Sequence, residues 1–543
     1  MVNFLFYMEK GDNDKSMSQV INFSLLFILS IVPALLAGST LHIEQKFSMV
    51  IIGWLLMLLC AGIYRFTIGK VITFIVAALW SLNLSISLFF YREHDIPFSS
   101  SIAETFINTN GSETVGMLSY NKYYVLFYIV IFTCFFYLIH ISARYLNNKT
   151  NKRCLIAIII LIILISLYKN LAIRSESKTQ LLAEYYLLNT PFYNAAALVR
   201  TFHENRQIKK ITSEKVNFNY DKVDQKTEIY ILLIGESVRR DHLGIYGYPY
   251  DTTPNLEKEK NNILLFKQAY SPAPVTILSV PISLSNINLT ELYDKKHYAD
   301  NIISLANHAG FKTYWLSNQG KGNPKTSVIS VIANMAQHKK WNEFIGYDEE
   351  LLPFLDNALN DNSSNKKLIV LHTYGSHEPA CNRFPSTYLK TFSQQEDDNC
   401  YDSSIAYTDK LISQIIEKIQ DKPASILYFS DHALQRLDKN REVRYHHGVN
   451  SPRQEAYNIP LFIWYSASAT RPNINKENLN KPFSTADNYW LLSQWLGIEH
   501  NSAKKCYSPL SECYQTKTSM MVIDGNKKLL NYALLESEEQ APQ

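Results

Sequence analysis

Net charge is what this chain of 543 residues has least of. Its 53 Lys and Arg stand against 49 Asp and Glu, a formal +4, which gives no reason to propose nucleic acid as a partner. Internal repeats and low-complexity tracts are also missing, apart from a polar end, "ESEEQAPQ", so a repeat architecture is excluded. Charged residues are sparse before about residue 175 and evenly spread after it. The two parts therefore face different solvents, and the chain is in any case too long for one ordinary core.

Five apolar stretches fill the charge-poor part, at about 20–38, 48–64, 68–91, 122–143 and 154–173, each near the roughly 17 to 25 residues that cross a bilayer. No small-residue cleavage pattern stands out after the first, and four similar segments follow it, so it is not a removable signal. With the N-terminus inside, Lys10, Lys15, Arg65, Lys70, Arg144, Lys149, Lys152 and Arg153 lie on the inner side, against Lys46, Arg92 and Lys122 outside. That bias predicts a cytoplasmic N-terminus and, after an odd number of crossings, an outer location for everything beyond residue 175.

Cysteine usage agrees. Cys60, Cys134 and Cys154 lie in or beside the spans, whereas Cys381, Cys400, Cys506 and Cys513 form an even set in the outer part, where disulfides persist. Closeness in sequence suggests 381 with 400 and 506 with 513; the other two pairings stay open.

Residues 1–175 thus read as a transmembrane domain and 176–227 as a linker. Within the linker, "LLAEYYLLNTPFYNAAALVRTFHENRQIKK" has Pro191 to break it into two short helices, lying in the headgroup layer or packed as a linker helix. Residues 228–535 form an outer domain and 536–543 a polar tail.

In the outer domain apolar runs alternate with helical patterns. The runs are Ile229 to Ile234, Phe311 to Leu316, Leu368 to Leu371, Ile426 to Phe429 and Leu461 to Trp464; the clearest helix is "SSIAYTDKLISQIIEKIQD", striped by Ile405, Leu411, Ile412, Ile415, Ile416 and Ile419. This predicts an α/β sandwich with a mostly parallel sheet, whose sites form beyond the carboxyl ends of the strands.

The residues at those ends are acids, imidazoles and hydroxyls. After the first run come Gly235, Glu236 and Ser237; after the second "SNQGKGNPK"; after the third His372 and then "GSHEP" with His377; after the fourth Asp431 and His432, and later "YHHG" with His446 and His447. Carboxylate oxygen and imidazole nitrogen suit Zn²⁺. "GES" is not a nucleophile elbow, because Arg239 stands where a small residue is needed. A better nucleophile lies in "SPAPVTILSVPISL", where Pro272 and Pro274 enforce a turn and Thr276 opens an apolar helix, a favourable place for an alkoxide.

On "IGESVRRDHLGIYGYPYDTTPNL", "TILSVPISL", "YWLSNQ", "LHTYGSHEP", "YFSDH" and "HHG", in this order, the chain resembles the lipid-linked phosphoethanolamine transferases, membrane relatives of alkaline phosphatases and sulfatases. The resemblance covers nearly the whole chain and implies a five-helix membrane bundle followed by a sulfatase-type periplasmic domain, in a bacterial inner membrane. It implies Zn²⁺ held by Glu236, Thr276, Asp431 and His432, with Thr276 as nucleophile and Ser237 only shaping the turn. His377 and His447 match histidines that hold the phosphoryl group or a second metal, one of them as acid and one as base. Asn318, Gln319, Lys321 and Lys325 fall where polar phosphate contacts are expected. The implied reaction moves phosphoethanolamine from phosphatidylethanolamine to lipid A, a lipopolysaccharide core sugar or a periplasmic glucan, through a covalent phospho-threonine.

One departure is local: the family commonly reads Asp-His-Gly-Glu, and this chain has Asp431, His432, Ala433 and Leu434. The first zinc is expected to survive, with the path from Ala433 to Tyr445 altered. Competing readings are a phosphoglycerol transferase of the same architecture and an inactive membrane-anchored binding module. A sulfatase is argued against by "SVPIS", which has Ser283 where the formylglycine pattern needs Arg. Acids of the third connection, Glu93, Asp95, Glu104 and Glu113, are candidates to attract the ethanolamine ammonium or are an ordinary solvated loop.

Overall fold

A computed structural model describes residues 13–37, 41–93, 98, 102–104, 107, 122–145, 153, 156–157, 160–161, 187–223, 225–320, 327–342, 346–393, 396–439, 442–449 and 452–538. The chain divides into two compact units, one of residues 1–103 and 113–203, the other of 104–112 and 204–543.

The first unit is built on α1 (Asn13–Leu36), α2 (Ile43–Ile63), α3 (Thr67–Glu93) and α4 (Lys122–Tyr145). Among the described residues three helical stretches are long and apolar enough to cross a membrane, Ile43–Ile63, Thr67–Arg92 and Lys122–Arg144, and Val20–Leu36 is a shorter apolar helix. The fifth expected span, 154–173, lies largely outside the described residues. Within this unit Trp80 and Phe135 pack in the core. Within the linker, α5 (Asn194–Arg206) follows a turn that contains Pro191, and the stretch expected to form a helix before that turn lies largely outside the described residues. Its start packs on α3: the Asn194 amide donates to the Asn83 carbonyl at 3.1 Å and to the Ser87 hydroxyl at 2.9 Å.

In the second unit the central sheet has seven strands: β1 (Ile229–Gly235), β2 (Ile263–Leu265), β3 (Lys312–Ser317), β4 (His338–Trp341), β5 (Lys367–His372), β6 (Ala424–Ser430) and β7 (Leu461–Tyr465). Their order is 2-7-6-1-5-3-4. β1 pairs in parallel with β5 and β6, and β3 with β4 and β5, while β7 runs antiparallel to its neighbours. The five predicted runs are strands; β2 and β4 are additions at the two edges, too short and, in β4, too polar to stand out.

β1 is buried along its whole length because both its faces are covered. Tyr230, Leu232 and Ile234 enter one apolar layer, and Ile229, Ile231 and Leu233 the other. α6 (Thr276–Leu284) contributes Leu278, Val280 and Ile282 to the first. α7 (Glu396–Ile419) contributes Leu411, Ile412, Ile415, Ile416 and Ile419 to the second. Disulfides join Cys381 to Cys400 and Cys506 to Cys513, the pairing that closeness in sequence suggests.

Candidate functional site

Because β1 lies in the middle of the sheet, the groups beyond its end meet those of β5 and β6 on either side. The chain leaves β1 through Glu236 and turns at Ser237, whose φ of 62° is left-handed. That turn puts the Ser237 N–H on Asp431 Oδ1 at 3.1 Å and the Val238 N–H on the Ser430 hydroxyl at 2.9 Å. Two loops from adjacent strands are thereby locked together. The Ser237 hydroxyl donates to Glu236 Oε1 at 2.6 Å, so this residue orients a carboxylate as well as shaping the turn, more than its motif predicts.

Thr276 is the first residue of α6, where helix N–H groups favour negative charge. Its hydroxyl lies 2.9 Å from Glu236 Oε2 and 3.2 Å from His432 Nε2. Glu236, Asp431 and His432 are all buried. His432 Nδ1 donates to the Ala433 carbonyl at 3.0 Å, which turns Nε2 toward Thr276 and Glu236. Asp431 Oδ1 accepts from two backbone N–H groups, whereas Oδ2, 3.6 Å from His432 Nε2, is buried without a hydrogen-bond partner.

His447 arrives by a different route. Past His432 the chain forms a hairpin, Gln435–Lys439 paired with Glu442–His446, in which His446 lies opposite Gln435. This hairpin returns His447 to His432, ring centroids 4.8 Å apart. Donor atoms of Glu236, His432 and His447 all lie within 4.8 Å of one another, a grouping that could hold a metal ion. His446 is not in it; its Nδ1 lies 3.1 Å from the His447 carbonyl.

Electrostatics point the same way. Burial opposes charge on Glu236, but the hydrogen bond and charge of His432, with help from His377 and Ser237, hold its carboxyl well below the usual range. Burial and the Glu236 charge push Asp431 up to about 7. Burial works against a charged His432, yet Asp431 and Glu236 outweigh it and push the imidazole up to about 9. Two acids thus compete for one proton on the ring, and a divalent cation among them would take that proton's place. With the orphaned Asp431 oxygen, this donor set fits Zn²⁺.

His377 stacks on Tyr374, centroids 4.8 Å apart, with its Nδ1 2.8 Å from the Glu378 carbonyl, and its ring lies 6.1 Å from that of His447. His372, which sequence reasoning places in or just beyond its strand as a structural residue, is buried, and burial lowers it to about 4.

The four expected phosphate contacts separate. Gln319 reaches the site, its amide donating to Glu236 Oε2 at 2.9 Å and to the Thr373 carbonyl at 2.7 Å. Asn318 faces away: its amide nitrogen donates to the Gly346 carbonyl and to Asp348 Oδ1, and its oxygen accepts from Asn342. Neighbouring side chains at a strand end point to opposite sides, so adjacency in sequence could not place both. Lys321 and Lys325 lie outside the described residues. Of the four acids in the third connection, the described side chain is that of Glu104, which is buried.

Two residues that sequence reasoning did not single out support the site. Asp348 accepts from the Tyr374 and Gly375 N–H groups, both at 2.8 Å, and so fixes the turn leading to His377. Its local sequence, "GYDEE", resembles that of any solvated acid. Gly375 has φ 43°, and a Cβ there would stand 2.7 Å from the Glu236 carbonyl oxygen and 2.9 Å from its nitrogen. Gly375→Ala is therefore expected to cost about 1–3 kcal/mol of stability and, by displacing Glu236, to lower turnover about 10²-fold; chemical denaturation and turnover assays check both. Gln319→Leu, which strips one amide from Glu236, is expected to weaken metal binding about 10- to 100-fold, as read by competition with a chelating dye.

Comparison with known proteins finds matches to two families. Residues 228–498 match the sulfatase family, and residues 12–212 match the family described as the transferase YhbX N-terminal domain. A putative transferase YhbX of Escherichia coli O157:H7 is 33 % identical over 467 residues, 85 % of this chain and 84 % of that protein. The phosphoethanolamine transferase OpgE of Escherichia coli K12 is 29 % identical over 337 residues, 60 % of this chain and 62 % of its own length. Among solved structures, the integral membrane lipooligosaccharide phosphoethanolamine transferase EptA of Neisseria meningitidis superposes with a TM-score of 0.60 at 18 % identity, over 89 % of this chain and 96 % of that one. The C-terminal periplasmic domain of Escherichia coli EptC, in complex with Zn, gives 0.54 at 22 % identity, over 59 % and 98 %.

Proposed function

Because the chain belongs to the lipid-linked phosphoethanolamine transferase family and is a transferase, we propose that it moves phosphoethanolamine from phosphatidylethanolamine to an envelope glycan or lipid: lipid A, a lipopolysaccharide core sugar or a periplasmic glucan. The observation that carries this is the Thr276 hydroxyl at the head of α6, 2.9 Å from Glu236 and 3.2 Å from His432, beside the orphaned oxygen of Asp431.

Glu236, Thr276, Asp431 and His432 would hold Zn²⁺, with His447 within reach of the same ion. When bound, the ion would lower the pKa of the Thr276 hydroxyl and neutralise charge growing on the phosphoryl oxygens. In the first displacement the Thr276 hydroxyl gives its proton to His377 or His447, Thr276 Oγ1 forms a bond to phosphorus, and the bond from phosphorus to the diacylglycerol oxygen breaks. That oxygen takes a proton from His377 or His447, and diacylglycerol leaves. In the second, the acceptor oxygen attacks phosphorus, the same kind of imidazole takes the acceptor's proton, and the bond to Thr276 breaks as Thr276 Oγ1 receives that proton and becomes a hydroxyl again. Gln319 and Ser237 hold the Glu236 carboxylate in place throughout.

We place the helical unit in the bacterial inner membrane, N-terminus in the cytoplasm, and the sulfatase-type unit in the periplasm. The distribution of basic residues supports this orientation, and two disulfides in the second unit suit an oxidising compartment. Membrane attachment brings a lipid donor and the site to one surface, a gain in proximity.

The test is mass spectrometry of the Thr276 peptide after incubation with phosphatidylethanolamine or phosphatidylglycerol, together with envelope glycan and lipid profiles with and without the protein. A phosphoethanolamine mass on Thr276 is expected. A phosphoglycerol mass would make the protein a phosphoglycerol transferase, and no adduct from either lipid, with no change in the envelope, would leave a binding module.

A further inference from the structure

Arg239 follows Ser237 by two residues, and its side chain is only 4 % exposed. Its Nε and Nη2 donate to the two carboxylate oxygens of Asp241, at 3.0 and 2.6 Å. Its Nη1 donates to both oxygens of Glu538, each at 2.9 Å, and to the Leu434 carbonyl at 3.3 Å. Asp241 belongs to the same loop and is 54 % exposed, whereas Glu538 lies 299 residues away in sequence and is 17 % exposed. A buried guanidinium depends most on the partner that water cannot replace.

Glu538 makes a second connection. Its Oε1 accepts the backbone N–H of Arg436 at 2.6 Å, four residues beyond His432. The segment carrying it is itself anchored: the Ser537 hydroxyl and the Glu538 N–H donate to the two oxygens of Glu455, at 2.6 and 3.1 Å, and the Gln454 N–H donates to the Glu536 carbonyl at 3.0 Å. One carboxylate therefore joins the loop that carries Glu236 to the loop that carries Asp431 and His432. At their other end these loops meet through the Ser237 N–H on Asp431 and the Val238 N–H on Ser430. At position 434, where this chain has Leu in place of an acid, a backbone carbonyl and not a side chain faces Arg239.

We propose that residues 536–538 are a strap for the metal site, in which Glu538 acts through Arg239 and the Arg436 amide to hold Glu236 and His432 at ligand distance. Glu538 is a positioning residue and touches no reacting atom. The inference rests on reading Glu236 and His432 as zinc ligands. It converts part of an expected polar tail into a component of the site's frame.

Full-length protein in detergent, wild type and with Glu538→Gln, Glu538→Asp and Arg239→Gln, tests it by three readouts: zinc affinity, steady-state transfer, and hydrogen exchange of peptides covering 237–240 and 433–437. Glu538→Gln is expected to weaken zinc binding about tenfold or more and to lower kcat with KM unchanged, because the strap acts on the metal and nucleophile and not on substrate binding. Exchange should rise about tenfold in both segments while β5 stays protected. Glu538→Asp should restore part of each effect, and in the Arg239→Gln background Glu538→Gln should cost less than it does alone. Unchanged exchange and zinc affinity in Glu538→Gln would overturn the strap, as would a lower melting temperature with wild-type zinc affinity and kcat. Wild-type protein that binds no zinc would sink the zinc reading; exchange alone would then judge the strap, faster in both segments supporting it and unchanged refuting it.

Discussion

Thr276→Ala is expected to lower transfer by about 10⁴-fold or more, the scale of loss when a covalent nucleophile is removed. The reason is geometric. Among the described residues, the Thr276 hydroxyl is the one that touches both Glu236 and His432, at 2.9 and 3.2 Å. Ser237, the neighbouring candidate, has its hydroxyl hydrogen directed at Glu236 Oε1 from a buried position. Thr276→Ala removes one partly buried hydroxyl and methyl at the start of a helix, so its effect on stability should stay within about 1 kcal/mol. Thermal melts should therefore be nearly superimposable, and the adduct on the Thr276 peptide should vanish. Thr276→Ser keeps a hydroxyl there and should retain measurable transfer. Full lipid-dependent transfer by Thr276→Ala would remove the nucleophile from the proposal.

The second large effect is expected at Glu236. Glu236→Gln keeps the shape of the side chain and deletes the charge that, with Asp431, raises His432 to about 9. A neutral amide is a poor zinc ligand, so the variant should retain little metal through dialysis, and turnover should fall to that of chelated wild type. Zinc at a hundredfold excess over its dissociation constant should stabilise wild type by about 2.7 kcal/mol, and Glu236→Gln should gain little of this. With chelator present the variant should melt below wild type, since Glu236→Gln also loses the charge pairing with His432 that holds the Glu236 carboxyl well below the usual range; the test is therefore the gain each protein makes on adding zinc. Metal analysis and paired melts with and without zinc decide it. A variant with full zinc occupancy and a wild-type response would show that Glu236 is not a ligand.

Much of the fold was legible because its signals are local. A strand buried on both faces needs an unbroken apolar run, and Ile229 to Ile234 supplies one. A helix lying on a sheet needs a stripe at helical spacing, and Ile405 through Ile419 form one, buried in the structure. The edge strands β2 and β4 lacked such signals, being three and four residues long. The hairpin that returns His447 to His432 depends on pairing between Gln435 and His446, which local sequence does not state.

The sequence alone decided which part of the chain is apolar enough for a membrane, which runs become the main strands, and which chemical groups stand at their ends, because these depend on the order of residues along short segments. Only the tertiary structure decided which of those groups meet. Glu236 finds Asp431 and Gly375 because β1 lies between β6 and β5; Gln319 and Asn318 part company because successive side chains diverge; Glu538 reaches Arg239 across 299 residues of sequence. Such contacts are set by sheet order and loop paths, and these are properties of the whole packed domain.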